Sequence, residues 1–180
     1  MMTILRKSII VTGASSGIGR ATLIKLVEVG YQVFGLIVNI SSVAGLMALP
    51  LIGVYSASKY ALEAVTDALR MELWNTNVKV ITINPGLVDT NINTVSRPKL
   101  DNLIDKKSSR FSEMYRKYMY NVPKGLPSDS VARVILKALS SQKPNARYIV
   151  GPTTLKVGVK LKKFIPETIF FSQIARRIHE

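Results

Sequence analysis

The sequence contains no cysteine, which excludes disulfide bonds and thiolate metal sites. Its 180 residues include a single histidine, His179, so a cluster of histidine metal ligands is also excluded. Acidic residues are few, with 11 Asp and Glu against 25 Lys and Arg, and the formal net charge is +14. This balance permits attraction to phosphates, anionic lipid or nucleic acid. We expect no nucleic-acid binding, because the chain has no long run of like charges and no nucleic-acid-binding motif.

The N-terminus lacks the apolar core and small-residue cleavage site of a secretory signal. A stretch from Val29 to Ser58 has no charged residue and is long enough to span a bilayer. Asn39, Pro50 and Gly53 are among the residues that interrupt it, so a buried strand followed by a loop explains it better. We therefore expect a cytoplasmic protein, with peripheral contact to a membrane as a second option.

The strongest functional pattern lies where an apolar strand gives way to a helix. The apolar run Leu36–Ile40 ends in two serines, and after a loop a Tyr-Ser-Ala-Ser-Lys segment opens a helix. Tyr55 and Lys59 are four residues apart, so they share one helical face. An ammonium beside a phenol favours the phenolate, and such a tyrosine can pass a proton. Ser42 ends the preceding strand, where its hydroxyl can meet the same substrate oxygen.

A glycine-rich turn follows the first predicted strand, which runs from Ser8 to Thr12. The next residues read Gly-Ala-Ser-Ser-Gly-Ile-Gly, and a helix from Arg20 to Val29 follows them. Glycines let a backbone approach a pyrophosphate closely, and a helix N-terminus offers free N–H groups. A tight turn without a ligand is the alternative for an isolated motif. The positions predicted to receive the pyrophosphate are Gly13, Ser15, Gly17, Ile18 and Gly19.

A third motif follows the predicted strand Val78–Ile83 and reads Asn-Pro-Gly-Leu-Val-Asp-Thr, residues 84–90. The three motifs, in this order, resemble the short-chain dehydrogenase/reductase family. The resemblance implies an α/β fold with a Rossmann-like, doubly wound parallel sheet. It also implies an enzyme that interconverts an alcohol and a ketone or aldehyde with NAD or NADP by hydride transfer.

The resemblance assigns a role to each matching residue. It makes Tyr55 the general acid/base, while Lys59 activates the tyrosine and holds the nicotinamide ribose. It lets Ser42 hydrogen-bond the reacting oxygen. The nicotinamide side of the cofactor would be held by Pro85, Gly86, Val88 and Thr90. The basic, aromatic-containing segment 91–127 would be a lid over a small, apolar alcohol or carbonyl substrate. Plain packing of its aromatic side chains is the alternative.

The chain departs from the family between the second and fifth strands. One predicted strand begins at Tyr31 and reaches Phe34, and the next apolar run is Leu36–Ile40. Only Gly35 separates the two. Parallel neighbours need a crossover of about a dozen or more residues. We therefore expect one continuous strand over residues 31–40 and a sheet reduced in strand number. The family's catalytic asparagine and the region that selects NAD or NADP fall in the missing part.

The shortening leaves a second interpretation open. A truncated, catalytically impaired member could act at most as a nucleotide-binding or partner-binding protein. The helix Tyr55–Trp74 carries a stripe of small and apolar residues, for which packing on the sheet and a homodimer interface are both considered. Four charged residues of this helix are expected to face water: Glu63, Asp67, Arg70 and Glu72.

The chain divides at a Gly-Pro pair into two predicted parts. Residues 1–152 form the reduced nucleotide-binding and catalytic domain, and residues 153–180 form a basic, amphipathic tail of two helical pieces split by Pro166. Such a tail can cover a sheet face or a dimer partner, which we prefer. It can also lie on an anionic membrane.

Overall fold

The computed structural model describes residues 7–11, 18, 22, 25, 33–75, 78–90, 109–115 and 124–179. The predicted phosphate-binding positions Gly13, Ser15, Gly17 and Gly19 lie outside these residues, as does most of the predicted lid. The strands are β1 (Lys7–Val11), β2 (Val33–Ile40), β3 (Lys79–Pro85), β4 (Val88–Asp89), β5 (Leu126–Pro127) and β6 (Arg147–Val150). The helices are α1 (Gly53–Glu72), α2 (Ser112–Tyr115), α3 (Ser128–Leu139), α4 (Thr153–Leu161) and α5 (Glu167–His179). Two 3₁₀ turns cover Val43–Gly45 and Lys162–Phe164.

The main sheet has four parallel strands in the order β1-β2-β3-β6. Val38 of β2 pairs with Val11 on one side and with Ile81 on the other. The predicted α/β fold with a shortened parallel sheet is therefore confirmed. So is the fusion of two family strands, since Val33–Ile40 is one strand that crosses Gly35 without a break.

One face of the sheet carries the apolar core. Side chains alternate between the two faces of a strand, so Leu36 and Val38 share a face, as do Ile81 and Ile83. These residues pack with the inner side of α3 in one buried cluster. On this inner side of α3, Val131, Ile135, Ala138 and Leu139 are all buried.

The opposite face of the sheet is polar, and α1 covers it. Asn39 of β2 donates to Thr66 at 2.9 Å, and Thr82 of β3 donates to Glu63 at 3.4 Å. The expectation that Glu63 faces water is wrong, because this residue is only 5% exposed. The buried residues of α1 are Ser56, Glu63 and Thr66, so this helix meets the sheet through polar groups.

Most of the small residues in the stripe of α1 are exposed and do not pack on the sheet, contrary to one of the two expectations for the stripe. Ala57, Ala61 and Ala64 are exposed, and Val65 is 63% exposed. Trp74, just beyond the helix, is 77% exposed and does not contribute to the hydrophobic core. The polar residues of α1 take the sheet side of the helix, and its apolar stripe faces outward.

The helices that connect neighbouring strands lie on opposite faces. The chain moves from β2 to β3 through α1 on the polar face, and from β3 to β6 through α3 on the apolar face. Both connections step in the same direction across a parallel sheet, so they have opposite hands. One of them is therefore left-handed, whereas about 98% of such crossovers are right-handed.

The C-terminal tail forms the two helical pieces that the sequence predicts, with Pro166 between α4 and α5. No residue of α4 is buried, so this helix does not cover a sheet face in the way expected. Its contact with the rest of the chain is narrow. The Leu155 side chain lies against Gly86 and Gly151, and Lys162 donates to the carbonyl of Leu46 at 3.1 Å.

Candidate functional site

The loop after β2 places Ser42 beside the end of β3. The Ser41 amide donates to the Ile83 carbonyl at 2.8 Å and so continues the contact between the strands. Ser42 then caps the 3₁₀ turn, because its hydroxyl accepts from the Ala44 amide at 3.1 Å. The same hydroxyl donates to the Pro85 carbonyl at 3.4 Å. Ser42 and the Pro-Gly segment, which the sequence placed in one site, therefore lie together.

Lys59 connects α1 to the end of β2. Its ammonium donates to the Ile40 carbonyl at 3.1 Å and lies 5.7 Å from the centroid of the Tyr55 ring. The side chains of residues four apart meet on a helix, which explains this arrangement. Burial lowers the pKa of Lys59 below its ordinary value, and the negative charge of Glu63 opposes that shift. The predicted tyrosine–lysine pair is thus present.

The structure brings Ser42, Lys59 and Pro85 to one edge of the sheet. Ser42 follows the carboxyl end of β2, Lys59 binds that end through Ile40, and Pro85 closes β3. The carboxyl edge is where open α/β sheets bind their ligands. The hydrogen bonds of the Ser42 hydroxyl run to Ala44 and Pro85 rather than to Tyr55.

Close approach between the serine loop and α1 depends on Gly45. A Cβ at this position would lie 2.9 Å from the Lys59 carbonyl oxygen and 2.9 Å from the Ser41 hydroxyl. Real Cβ atoms are not found that close to a backbone oxygen, so a side chain here would push the loop from the helix. Gly45 therefore sets the distance between the strand that carries Ser42 and the helix that carries Lys59.

Residues 85–90, which are predicted to hold a nicotinamide, form backbone hydrogen bonds with two other segments. The Gly86 amide donates to the Val150 carbonyl at 2.8 Å, which links it to β6. Val88 is buried and pairs with Leu126 in the short parallel pair β4-β5. Thr90 follows at a bend and is partly exposed. Backbone pairing thus fixes this segment beside the end of β3.

A buried network beneath the site was not expected from the sequence. The Asn84 side-chain amide donates to Glu63 at 2.6 Å and to the Ser42 carbonyl at 3.2 Å. Arg147, at the start of β6, donates to the other oxygen of the Glu63 carboxylate at 2.9 Å. A spacing signal existed, because Tyr55, Lys59 and Glu63 recur every four residues along one helical face.

The network reaches solvent through a second carboxylate. Asp67 forms hydrogen-bonded ion pairs with Arg147 and with Arg70. Desolvation acts to raise the pKa of Asp67, but the hydrogen bonds and charges of Arg147 and Arg70 outweigh it and hold that pKa below 3.8. Arg70 also donates to the carbonyls of Val80 and Ala146 at 3.0 Å. Helix α1 is thereby fixed to β3 and to the turn before β6.

Lys59 keeps hydrogen-bonding capacity for a ligand at this edge of the sheet. An ammonium carries three donors, and Lys59 uses one of them on Ile40 among the described residues. The remaining donors can bind ribose hydroxyls at the carboxyl edge of the sheet. Of the predicted pyrophosphate residues, the structure describes Ile18, which is helical and packs against the apolar core.

Comparison with known proteins relates the chain to one family. The family model described as short chain dehydrogenase matches residues 32–101. The chain is 38% identical over 122 residues to the NADPH-dependent 3-dehydrocapnine reductase of Ornithobacterium rhinotracheale, covering 67% of this chain and 43% of that protein. The chain spans about half the length of the curated relatives it matches.

Solved structures show the same fold. A short chain dehydrogenase/reductase from Burkholderia phymatum in complex with NAD matches with a TM-score of 0.64 and 19% identity, covering 96% of this chain and 97% of that one. A short chain dehydrogenase from Burkholderia cenocepacia in complex with NADP matches with a TM-score of 0.64 and 17% identity, covering 96% and 99%. Within the described part of the chain, no helix is both long and apolar enough to cross a bilayer.

Proposed function

Because this chain belongs to the short-chain dehydrogenase/reductase family, as a member shortened between the second and fifth strands, we propose that it is an NAD(P)-dependent oxidoreductase that interconverts an alcohol and a ketone or aldehyde. One observation carries the proposal. Lys59 binds the end of β2 and lies against Tyr55, at the same edge where Ser42 contacts Pro85.

Each candidate residue acts through its own chemistry. In the reducing direction the Tyr55 hydroxyl donates a proton to the substrate oxygen, and the Lys59 ammonium stabilises the phenolate that results. In the oxidising direction the phenolate accepts that proton. Ser42 donates a hydrogen bond to the reacting oxygen. Its present bond to Pro85, at 3.4 Å, is long, so exchanging it for a substrate oxygen costs little.

The cofactor proposal follows the family and the chemistry of the retained residues. A bound nicotinamide dinucleotide supplies or accepts the hydride. Lys59 and Tyr55 would bind the ribose, and the backbone of residues 85–90 would bind the nicotinamide through Pro85, Gly86, Val88 and Thr90. The pyrophosphate would lie on the glycine turn, at Gly13, Ser15, Gly17, Ile18 and Gly19. We leave the choice between NAD and NADP to experiment.

The substrate class proposed is an apolar, small-molecule alcohol or carbonyl. A related enzyme is named for reduction of 3-dehydrocapnine, and the predicted lid contributes several aromatic residues. Chain-length series of ketones, from short to long alkyl, test the class directly. A preference for polar or phosphorylated carbonyls over long-chain ketones would refute it.

The decisive experiment measures binding and turnover together. Thermal unfolding is followed with and without NADH and NADPH, and turnover is followed with a panel of ketones. We expect Tyr55→Phe to lose about 100-fold or more in kcat while keeping the cofactor-induced shift in Tm. Tyr60→Phe is the matched control, because Tyr60 is on the same helix and is also 38% exposed. A chain that melts without a shift and turns nothing over would favour the impaired member instead.

We also propose that the outward stripe of α1 forms a homodimer interface. Its first four residues are exposed and mostly small, and small side chains let two helices approach closely. These four are Ala57, Ala61, Ala64 and Val65, and the partly buried Ala68, Leu69 and Leu73 continue the stripe. Ala64→Glu is expected to convert a dimer to a monomer in sedimentation velocity, and Gln142→Glu, which adds the same charge at an exposed position before β6, is not. A monomeric wild-type chain would exclude this interface.

All residues proposed for catalysis and for cofactor binding lie within 1–152. We assign residues 153–180 to a separate tail, whose exposed apolar and basic side chains have no role in the proposed hydride transfer.

A further inference from the structure

The outer surface of α4 and the 3₁₀ turn after it separates into three lengthwise stripes. A helix advances about 100° per residue, so Leu155 and Val159 point to one side. This is the inner side, where Leu155 lies against Gly86 and Gly151. Val157 and Leu161 lie roughly opposite, and Phe164 continues their line.

The stripe opposite the core is apolar and open to solvent. Phe164 is 73% exposed, and Val157 and Leu161 are each about half exposed. Ile165, which follows Phe164 directly, is also exposed. Large apolar side chains gathered on one outward surface mark a site of interaction with another apolar body.

A row of lysines runs beside the apolar stripe. Lys156, Lys160 and Lys163 are exposed, and each immediately precedes one member of the stripe. The tail has six Lys and Arg against two Glu over residues 153–180. An apolar stripe flanked by lysines is the pattern of a helix that lies in the interface of an anionic membrane.

The lysine row also lines a groove between the tail and β6, which has a volume of about 730 Å³. Lys162 joins the three lysines of the row in this lining, and Glu167 is its one carboxylate. Arg147 lines the groove as well, but it is paired with Glu63 and Asp67. Such a groove is complementary to a phosphate headgroup that stands beside a membrane-bound helix.

From these observations we propose that residues 153–179 dock this chain onto the surface of a membrane containing acidic phospholipids. The proposal does not depend on hydride transfer. A second copy of the chain fits the surface less well, since an antiparallel two-fold contact through the apolar stripe would bring one lysine row against the other. At 13 residues, α5 is too short to span a bilayer, so the tail lies on the surface.

Docking at this surface would also orient the proposed active site. Lys162, between the two tail helices, donates to the Leu46 carbonyl and to the Tyr60 hydroxyl, both at 3.1 Å. Leu46 belongs to the loop that begins at Ser42, and Tyr60 follows Lys59 on α1. The membrane-facing tail is therefore attached directly to the two elements that carry the site.

The test is co-sedimentation of the full chain with vesicles of phosphatidylcholine alone or with roughly 30% phosphatidylserine. We expect binding to the acidic vesicles only. Each lysine near such a surface contributes about fivefold, so Lys156→Glu/Lys160→Glu/Lys163→Glu should weaken binding at least ~100-fold. Leu161→Ser/Phe164→Ser should also weaken it. The control Lys79→Glu/Lys137→Glu/Lys143→Glu removes the same charge elsewhere and should retain most of the binding.

Three results would overturn the proposal. The first is no binding of the wild-type chain to acidic vesicles. The second is equal loss of binding in the tail and control triple variants, which would show an effect of net charge alone. The third is a change in oligomeric state for Leu161→Ser/Phe164→Ser with vesicle binding unchanged, which would assign the stripe to a second copy. Circular dichroism melts verify that each variant folds, and Lys→Gln versions replace any that do not.

Discussion

The side-chain amide of Asn84 bridges the buried carboxylate of Glu63, at 2.6 Å, and the backbone carbonyl of Ser42, at 3.2 Å. It therefore links the helix that carries Tyr55 and Lys59 to the loop that carries the proposed catalytic serine. Arg147 donates to the other carboxylate oxygen of Glu63 at 2.9 Å, so two strands, β3 and β6, and helix α1 meet at this acid. A substitution at Glu63 tests whether this network supports the fold and the site together.

Glu63→Gln should lower the free energy of unfolding by about 2–3 kcal/mol. Breaking a fully buried ion pair costs about 3–5 kcal/mol, and the partial exposure of Arg147 reduces that figure. Denaturant unfolding measures the change. Glu72→Gln, an exposed position on the same helix, should change stability by less than about 0.5 kcal/mol. Equal effects of the two substitutions would show that the Glu63 network contributes nothing specific.

Ser41 and Ser42 are adjacent and should respond in opposite ways to alanine. The Ser42 hydroxyl caps a turn, so Ser42→Ala should destabilise by about 1 kcal/mol. The buried Ser41 hydroxyl has no hydrogen-bond partner among the described residues. Ser41→Ala should therefore be neutral or stabilising by up to about 1 kcal/mol. Chemical unfolding of the two variants decides, and a larger loss for Ser41→Ala would contradict the assignment.

The close contact at Gly45 predicts a specific cost for a methyl group. Gly45→Ala would force a Cβ to within 2.9 Å of the Lys59 carbonyl oxygen, so we expect a loss of about 1–3 kcal/mol. Gly53 is the control, because a Cβ there meets nothing within 4 Å. If Gly45→Ala melts at the same temperature as Gly53→Ala, the loop and the helix are not in contact.

Acid should weaken the connection that Asp67 makes with Arg147 and Arg70. The pKa of Asp67 is lower in the folded chain than its ordinary value of 3.8. Its contribution to stability is therefore complete above pH 3.8 and is lost as the pH falls through the folded pKa. Since Asp67 is partly exposed, that contribution is about 1 kcal/mol or less. Asp67→Asn should be less stable than the wild type at pH 7 and equally stable below the folded pKa.

The local order of elements was predictable from the sequence because local signals carry it. Runs of β-branched residues indicate the positions of the strands, and the spacing of apolar residues in α3 indicates which side of that helix is buried. The fusion at Gly35 followed from chain length alone, since one residue cannot make a crossover. The tyrosine–lysine pair followed from helical spacing in the same way.

The polar face of the sheet was not predictable from these signals. Glu63 looked like a solvent residue because its partners Asn84 and Arg147 lie 21 and 84 residues away in sequence. A buried carboxylate becomes favourable only when distant donors satisfy it, and periodicity carries no information about them. For the outward stripe of α1, the sequence could not show whether its small residues are packed or exposed. Alanines favour both packed and exposed helix positions, so composition could not choose between them.

The placement of helices on both faces has a consequence for the shortened chain. The helical residue Ile18, beyond β1, packs on the apolar face, whereas α1, beyond β2, lies on the polar face. When the helices that follow two adjacent parallel strands lie on opposite faces of the sheet, a crevice forms outside the carboxyl ends of those strands. Joining the family's second strand to its fifth places a different strand beside β1 but keeps this arrangement of helices. Loss of several strands and survival of a nucleotide cleft are compatible in this architecture.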